Sequence, residues 1–296
     1  MKQLLCGWVA LALVVVVTGR AVSQPAYSYA TLDVPGSILT EGYGINDAGE
    51  VAGTFWKPLD NRAAHGFLYS GGSYTLFDVP GSTTTYGYGI NSSGQVVGGF
   101  FATANIQAYV RSGGSYTTLN IPGSDAAAAQ AINSSGQIVG FYESNNIAPV
   151  SGFLYSGGSY QSLLGPAYGI NSYGQIVGSF GLYSNGSYTP LNVPGLATGI
   201  NDAGDIVGTF QDGINPDHGF LYHNGSYLTV DVPGALRTDA YGINNAGQIV
   251  GYYVDASGGH AFIATPTPEP STIVLLALGT LGLIGYRWAR YGRGSP

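Results

Sequence analysis

A ten-residue segment returns six times along the chain, and this repetition constrains the fold more than any other feature. Its first copy reads Gly44-Ile45-Asn46-Asp47-Ala48-Gly49-Glu50-Val51-Ala52-Gly53. The asparagines of successive copies are separated by 45, 42, 38, 30 and 43 residues. A period of about 40 residues is typical of a four-stranded propeller blade. The sequence therefore predicts a series of similar small β-units, whose later copies begin at Gly89, Ala131, Gly169, Gly199 and Gly242.

Each unit is predicted to contain four short strands. In the second unit these are 86–90, 95–101, 108–111 and 115–121, each rich in β-branched and aromatic residues and bounded by turn formers. The segment Asn91-Ser92-Ser93-Gly94 predicts a type I turn closed by a glycine with positive φ. Dipeptides such as the glycine pair at 113–114 predict two-residue hairpin turns with positive φ at both positions.

The way the repeats begin and end predicts a closed ring. Residues 29–37 form a fourth strand without a preceding third, and residues 260–264 form a third strand without a following fourth. An open array would leave both edges unpaired and prone to aggregation. We therefore predict an all-β fold, a six-bladed β-propeller spanning 24–264, in which the segment near Leu32 pairs with the segment near Phe262.

The N-terminus has the pattern of a secretory signal peptide. Lys2 precedes an apolar run from Leu4 to Val17, and small residues follow at 21–23, so residues 1–23 are predicted to be a signal helix that is removed on export. The single cysteine of the chain, Cys6, lies inside this segment. The mature protein is therefore predicted to contain no disulfide and no cysteine-based site.

The C-terminus carries a second targeting pattern. Pro268-Glu269-Pro270 lies in a predicted linker, 265–272, and is followed by the apolar segment 273–288 and the basic tail 289–296. This order resembles the PEP-CTERM sorting tail of Gram-negative bacteria, and the resemblance implies that an exosortase-type membrane peptidase processes the chain. A plain single-span anchor is the alternative interpretation.

The apolar segment 273–288 is predicted to be a transmembrane helix. The span from Ser271 to Trp288, which includes it, only just approaches the ~20 apolar residues that cross a bilayer, and the arginines behind it should keep the tail cytoplasmic. The protein is thus predicted to be anchored in the inner membrane before processing, and then to reach the cell surface or the extracellular matrix.

The triplet His260-Ala261-Phe262 and its relatives at 65–67 and 218–220 resemble the HAF family of extracellular repeats. The resemblance extends from about residue 27 to residue 264 and implies an extracellular location rather than a chemistry. Two units have Gln107 or Ser151 in place of the histidine, and the fourth unit omits the triplet.

The charge of the chain excludes one class of partner. The segment 24–264 contains 15 acidic and four basic residues, a formal net charge of −11. A nucleic-acid-binding protein needs a basic surface that displaces counterions from the phosphates. Nucleic acid is therefore not expected as a partner.

The strand order predicts a candidate ligand face. The connections from second to third strands vary in length and sequence, and variable loops on a rigid scaffold are where binding usually occurs. Three histidines begin third strands at this face, and three aspartates lie in its loops. These residues are His65, His218, His260, Asp60, Asp212 and Asp217. The histidines could share a metal ion, which their spread around the ring disfavours, or bond to a neighbouring loop.

Two function classes remain open. The sequence contains no nucleophile elbow, no zinc-protease motif and no phosphate loop, so no catalytic residue, cofactor or metal is predicted. We favour a non-enzymatic structural or adhesive surface protein, which by association with the sorting tail would bind an extracellular polysaccharide. The alternative is a propeller hydrolase or lyase acting on a polysaccharide, for which carboxylates would have to cluster at the variable face.

Overall fold

The computed structural model describes residues 26–102, 104–144, 147–213 and 217–267. These residues form 24 β-strands and contain no helix. Accordingly, a helix able to span a bilayer is not found within these ranges. The predicted signal peptide, the sorting motif, the transmembrane helix and the basic tail lie outside the described residues.

The strands follow one another in four-stranded antiparallel groups, which we number as units 1 to 6. The N-terminal strand is β1 (Ala26–Thr31). Unit 1 contains β2 (Leu39–Ile45), β3 (Val51–Trp56), β4 (Ala64–Ser70) and β5 (Ser73–Phe77). Unit 2 contains β6 (Thr84–Ile90), β7 (Val96–Phe101), β8 (Ile106–Ser112) and β9 (Ser115–Leu119). Unit 3 contains β10 (Ala126–Ile132), β11 (Ile138–Ser144), β12 (Ile147–Ser156) and β13 (Ser159–Leu163).

The remaining units have the same order. Unit 4 contains β14 (Ala167–Ile170), β15 (Ile176–Gly178), β16 (Gly181–Ser184) and β17 (Ser187–Thr189). Unit 5 contains β18 (Leu196–Ile200), β19 (Ile206–Phe210), β20 (His218–His223) and β21 (Ser226–Val230). Unit 6 contains β22 (Arg237–Ile243), β23 (Ile249–Asp255) and β24 (Gly258–Thr267), with β1 as its fourth strand. A parallel bridge between Leu39 and Gly259 joins units 1 and 6 into one eight-stranded sheet.

The first and last strands pair with each other. β1 runs antiparallel to β24, from Ala26 opposite Thr267 to Thr31 opposite Phe262. The predicted pairing of the leading and trailing segments is therefore confirmed. β24 continues three residues beyond the predicted boundary at 264, because β1 extends the ladder to Thr267.

The turns between first and second strands have the predicted geometry. In unit 2 the amide of Gly94 donates to the carbonyl of Asn91 at 3.0 Å, and Gly94 has a φ of 71°. The side-chain oxygen of Asn91 accepts hydrogen bonds from the amides of Ser93 and Gln95 at 3.1 and 3.0 Å. The asparagine fixes the turn because its side chain replaces a backbone partner. The two-residue turns also agree, since both central residues of each have positive φ.

The same asparagines link neighbouring units. The Nδ2 of Asn46 donates to the carbonyl of Asn91 at 3.0 Å, and each following asparagine donates to the next. The last, Asn244, donates to the carbonyl of Asn46 at 3.0 Å. The six hydrogen bonds therefore form a closed circle, which we call the Asn ring. Its other members are Asn133, Asn171 and Asn201.

The hydrophobic core lies between neighbouring units. Leu119 of unit 2, for example, packs in one buried cluster with Ile132 and Phe153 of unit 3. Equivalent clusters occupy the other junctions. Within a unit, glycines in second strands let the first strand lie close, since a Cβ on Gly98 of β7 would lie 1.9 Å from the carbonyl oxygen of Tyr86 in β6.

Antiparallel strand order gives the described fold two ends. The Asn ring and the two-residue turns lie at one end, which we call the turn face. The connections from second to third strands, and from fourth strands to the next unit, lie at the opposite end, the loop face. Because Ala26 pairs with Thr267 toward the turn face, the loop face is free of both ends of the described chain.

Candidate functional site at the loop face

His65, one of the predicted ligand residues, lies between two carboxylates. Its Nδ1 is 2.9 Å from Oδ2 of Asp78, and its Nε2 is 2.7 Å from Oδ2 of Asp60. Asp78 follows the fourth strand of unit 1, whereas Asp60 belongs to the variable loop. The imidazole also packs against Phe55, with ring centroids 5.3 Å apart. The histidine therefore ties the variable loop to the end of its unit.

The same arrangement recurs around His218 in unit 5. Its Nδ1 is 2.8 Å from Asp231, which follows the fourth strand, and its Nε2 is 3.8 Å from Asp212 of the variable loop. The ring packs against Phe210 at 5.3 Å. Units 1 and 5, which unit 6 separates, thus each place a histidine between two aspartates and against a phenylalanine.

His260 forms the third such cluster, at the junction of the first and last strands. Its Nδ1 is 2.6 Å from Asp33, which follows β1, and its Nε2 is 3.4 Å from Asp255. We call the three groups the Asp-His-Asp clusters. Each histidine has carboxylate partners of its own, so the histidines are not brought together. Within the described ranges, no three His, Cys, Asp or Glu side chains are arranged to hold a metal ion.

Asp217 pairs with an arginine rather than with a histidine. Its Oδ2 is 2.7 Å from Nη2 of Arg237, and its Oδ1 accepts a 2.6 Å hydrogen bond from Gln211. The Nε of Arg237 lies 2.6 Å from Oδ2 of Asp239, whose side chain is almost fully buried. Arg237 therefore bridges a loop aspartate and an aspartate of a first strand.

Asp239 belongs to a group of side chains that the sequence analysis did not single out. Asp239 in β22 and Glu41 in β2 occupy equivalent positions of two first strands, each two residues before a tyrosine. These tyrosines, Tyr241 and Tyr43, stack with ring centroids 4.9 Å apart. Tyr43 also donates a hydrogen bond to the carboxylate of Glu41. Units 6 and 1 thus contribute a mixed acidic and aromatic surface.

These side chains lie beside a cavity at the centre of the six units. The cavity has a volume of about 80 Å³ and is surrounded by the first strands of all six units. Its lining includes three neighbouring tyrosines together with Gln130, Tyr168 and Thr198. The group that we call the axial cluster consists of Glu41, Tyr43, Tyr88, Arg237, Asp239 and Tyr241.

Burial shifts the protonation of the axial cluster. It raises the pKa of Glu41, although the hydrogen bond from Tyr43 opposes this shift. It also raises the pKa of Asp239, and the hydrogen bond from Arg237 opposes that shift. Burial raises the pKa of Tyr43 well above its usual range, and the charge of Glu41 adds to this effect. Glu41 therefore keeps its proton to a higher pH than an exposed glutamate does.

Aromatic rings connect the axial cluster to the loop face. Tyr88 packs edge-on against Tyr43 at 5.0 Å and stacks on Tyr86 at 5.7 Å, with an interplanar angle of 8°. Tyr86 in turn lies 6.5 Å from Trp56, at the loop end of β3. Burial and the charge of Glu41 raise the pKa of Tyr86. The result is an aromatic surface that runs from the central cavity to the loops.

Two sequence signals could have identified the residues that were missed. In units 1, 5 and 6 the histidine occurs together with an aspartate before Val-Pro-Gly, whereas unit 2 has Gln107 and Asn120 at the corresponding positions. This covariation within one chain points to a contact. For Glu41 and Asp239 the signal is a carboxylate at a position where unit 2 has Tyr86.

A family model matches the C-terminal part of the chain. The match is to the PEP-CTERM protein-sorting motif and covers residues 266–290. The predicted sorting motif is therefore confirmed; it indicates export and a C-terminal sorting signal of Gram-negative bacteria. The resemblance of the repeats to the HAF family stays a prediction. No curated protein matches this chain.

Several solved structures resemble the fold. They include virginiamycin B lyase from Staphylococcus aureus, at 13% identity over 83% of this chain and 90% of that one, with a TM-score of 0.44. A candidate gluconolactonase has 13% identity over 81% and 92% of the two chains, with a TM-score of 0.49. Acylaminoacyl peptidase from Pyrococcus horikoshii has 11% identity over 78% and 46%, with a TM-score of 0.41. At these values the similarity carries no argument about activity.

Proposed function

We propose that the six units are the blades of a six-bladed β-propeller, and that the protein is a non-enzymatic structural or adhesive component of the cell surface or extracellular matrix. The PEP-CTERM motif implies exosortase-dependent export to the surface. The observation that carries the proposal is the pairing of Ala26 with Thr267. It places both ends of the described chain toward the turn face, which supports a partner site on the loop face.

The loop face has the residues that a binding surface needs. Large apolar side chains are exposed on it in several units, Leu59, Leu164 and Leu236 among them, and the surface of Trp56 and Tyr86 continues inward to the axial cluster. Aromatic rings on a rigid scaffold are suited to stack against the apolar faces of sugars. An extracellular polysaccharide is the proposed ligand, and the predicted ligand residues hold the loops around it.

Localisation tests the surface role. The full chain and a chain that ends after Thr267 should be expressed in the producing bacterium, and the cell surface, matrix and medium should be fractionated. We expect the full chain at the surface or in the matrix and the truncated chain in the medium. Identical partitioning of the two chains would refute the sorting role.

Retention on the producer's own exopolysaccharide tests the binding role. The exported protein should be retained, and Trp56→Ala at the loop face should reduce retention severalfold, because a stacking ring is worth ~1 kcal/mol or more. Tyr173→Ala is the matched control, since Tyr173 is an exposed aromatic residue of the turn face. Absence of retention, or equal loss in both variants, would argue against a binding site on the loop face.

A second candidate is a polysaccharide hydrolase or lyase, and the axial cluster favours it. Glu41 is a partly buried carboxyl group with a raised pKa, as a general acid requires. This enzymatic role is tested by measuring the release of new chain ends from the exopolysaccharide, with the wild-type protein and with the Glu41→Gln variant. Release that Glu41→Gln abolishes would support the enzyme, whereas release that is undetectable or equal in both proteins would exclude Glu41 as its acid.

A further inference from the structure

Acidic residues are distributed unequally between the two faces. Four of the 15 described acidic residues, Asp47, Glu50, Asp202 and Asp205, lie toward the turn face, and the other eleven lie toward the loop face. The loop face has three basic residues, Lys57, Arg62 and Arg237, which leaves a formal net charge of −8 with neutral histidines. Such a surface attracts cations and repels anions over a distance of several ångströms.

The basic residue nearest the centre is already neutralised. Arg237 contacts Asp217 at 2.7 Å and Asp239 at 2.6 Å, so two carboxylates share one guanidinium group. Glu41 differs from them. Within the described ranges it forms no ion pair, and its hydrogen-bond partner is the neutral hydroxyl of Tyr43.

The surroundings of Glu41 match those of a cation site. Tyr43 contacts its carboxylate, and the rings of Tyr88 and Tyr241 lie 5.0 and 4.9 Å from the ring of Tyr43. A carboxylate beside several aromatic faces stabilises an organic ammonium ion through both charge and cation–π attraction. Glu41 is partly buried, and the charge of Arg237 only partly offsets the cost of burying its carboxylate, so a bound cation would reduce that cost further.

We propose that the axial cluster binds a positively charged ammonium group of the ligand, and that the ligand is an amino-sugar polysaccharide with free amines. This inference rests on the proposed function, in which the loop face binds a polysaccharide. It specifies the chemical class of that polysaccharide. Uronic-acid polymers are disfavoured, because their carboxylates would meet eleven protein carboxylates at the loop face.

Three oligosaccharides of equal length test the proposal by titration calorimetry on the exported protein. They are a glucosamine oligomer with free amines, its fully N-acetylated neutral counterpart and an oligogalacturonate. We expect the glucosamine oligomer to bind at least about tenfold more tightly than the other two. Its affinity should fall as the salt concentration rises, since the attraction is electrostatic.

Two variants locate the site. Glu41→Gln should weaken binding of the glucosamine oligomer about tenfold, which is the effect of losing one charge-assisted contact. Glu143→Gln is the matched control because it also removes one carboxylate from the loop face, but at the end of the second strand β11. Its effect should be less than about twofold. Urea midpoints of both variants at or above that of the wild type would show that folding is intact, since Glu41→Gln is expected to raise the midpoint at pH 7.

The outcomes separate the inference from the proposed function. Equal or tighter binding of the neutral or the acidic oligomer would overturn the inference and leave polysaccharide binding intact. Equal weakening by Glu41→Gln and Glu143→Gln would overturn the axial location. Binding of none of the three oligomers, together with no retention on the producer's exopolysaccharide, would overturn the proposed function and the inference with it.

Discussion

Removal of one side chain from the Asn ring should weaken the whole fold. Asn133 is 5% exposed and makes four hydrogen bonds. Its Nδ2 donates to the carbonyl of Asn171 at 2.9 Å and to Oε1 of Gln137 at 2.8 Å. Its Oδ1 accepts from the amides of Ser135 and Gln137 at 3.1 and 3.0 Å. Asn133→Ala removes all four bonds at once.

The magnitude follows from these bonds. Each hydrogen bond contributes about 1 kcal/mol net to the free energy of unfolding, so the loss of all four costs at most about 4 kcal/mol. Ser135 is exposed, so water can hydrate its amide after the change, and we expect a loss of about 2–4 kcal/mol in the free energy of unfolding. Asn133→Asp should cost at least as much, because it keeps the acceptor but turns a carboxylate oxygen toward the carbonyl of Asn171.

Equilibrium urea unfolding of the exported protein measures this loss. A change of about 3 kcal/mol lowers the urea midpoint by about 1 M at an m-value of about 3 kcal/mol/M. Ser134→Ala, at an exposed position of the same turn, is the matched control and should stay within about 0.5 kcal/mol of the wild type. The reasoning is refuted if Asn133→Ala shifts the midpoint no more than Ser134→Ala does.

Three further outcomes follow from the packing and the charges. Gly98→Ala should lower the urea midpoint by about 1 M, because its Cβ would lie 1.9 Å from a carbonyl oxygen; an unchanged midpoint contradicts this. The double variant with His65→Gln and Asp78→Asn should lose less free energy of unfolding than the sum of the losses in the two single variants. The expected coupling energy in this double-mutant cycle is about 0.5–1 kcal/mol. Strict additivity of the two losses would show that the contact between His65 and Asp78 is not stabilising. Because burial raises the folded-state pKa of Glu41 above its unfolded value, the folded protein binds more protons, and ionisation of Glu41 lowers stability as the pH rises. Glu41→Gln should therefore raise the urea midpoint at pH 7, with the gain disappearing below about pH 4; an equal gain at both values would contradict the assignment.

The strand order and the turns could be predicted from the sequence because they depend on local signals. Asn91 and Gly94 specify a tight turn by themselves, since one supplies a side-chain acceptor and the other a positive φ. The pairing of β1 with β24 could also be predicted, because an incomplete unit at each end leaves one complementary arrangement. The predicted ends of the strands were less accurate. β6 begins at Thr84 rather than at 86, because its pairing with β7 continues past the aromatic segment.

The axial cluster could not be predicted because it depends on the placement of different units around one centre. Glu41 and Asp239 lie almost 200 positions apart in the chain, and no local pattern relates them. The variable loops led to the prediction of His65 and Asp60 as ligand residues, and the structure shows that these two side chains contact each other within unit 1. A comparison of the six copies position by position would have shown both carboxylates as departures from the repeat.

The position of β24 has a mechanical consequence for a force applied at the C-terminal end of the described chain. β24 lies between β23 and β1, and pairs with seven residues of the former and six of the latter. Tension applied beyond Thr267 is directed along this strand and loads both ladders in shear, so many hydrogen bonds must break together rather than one after another. The last described strand therefore resists pulling from its C-terminal end.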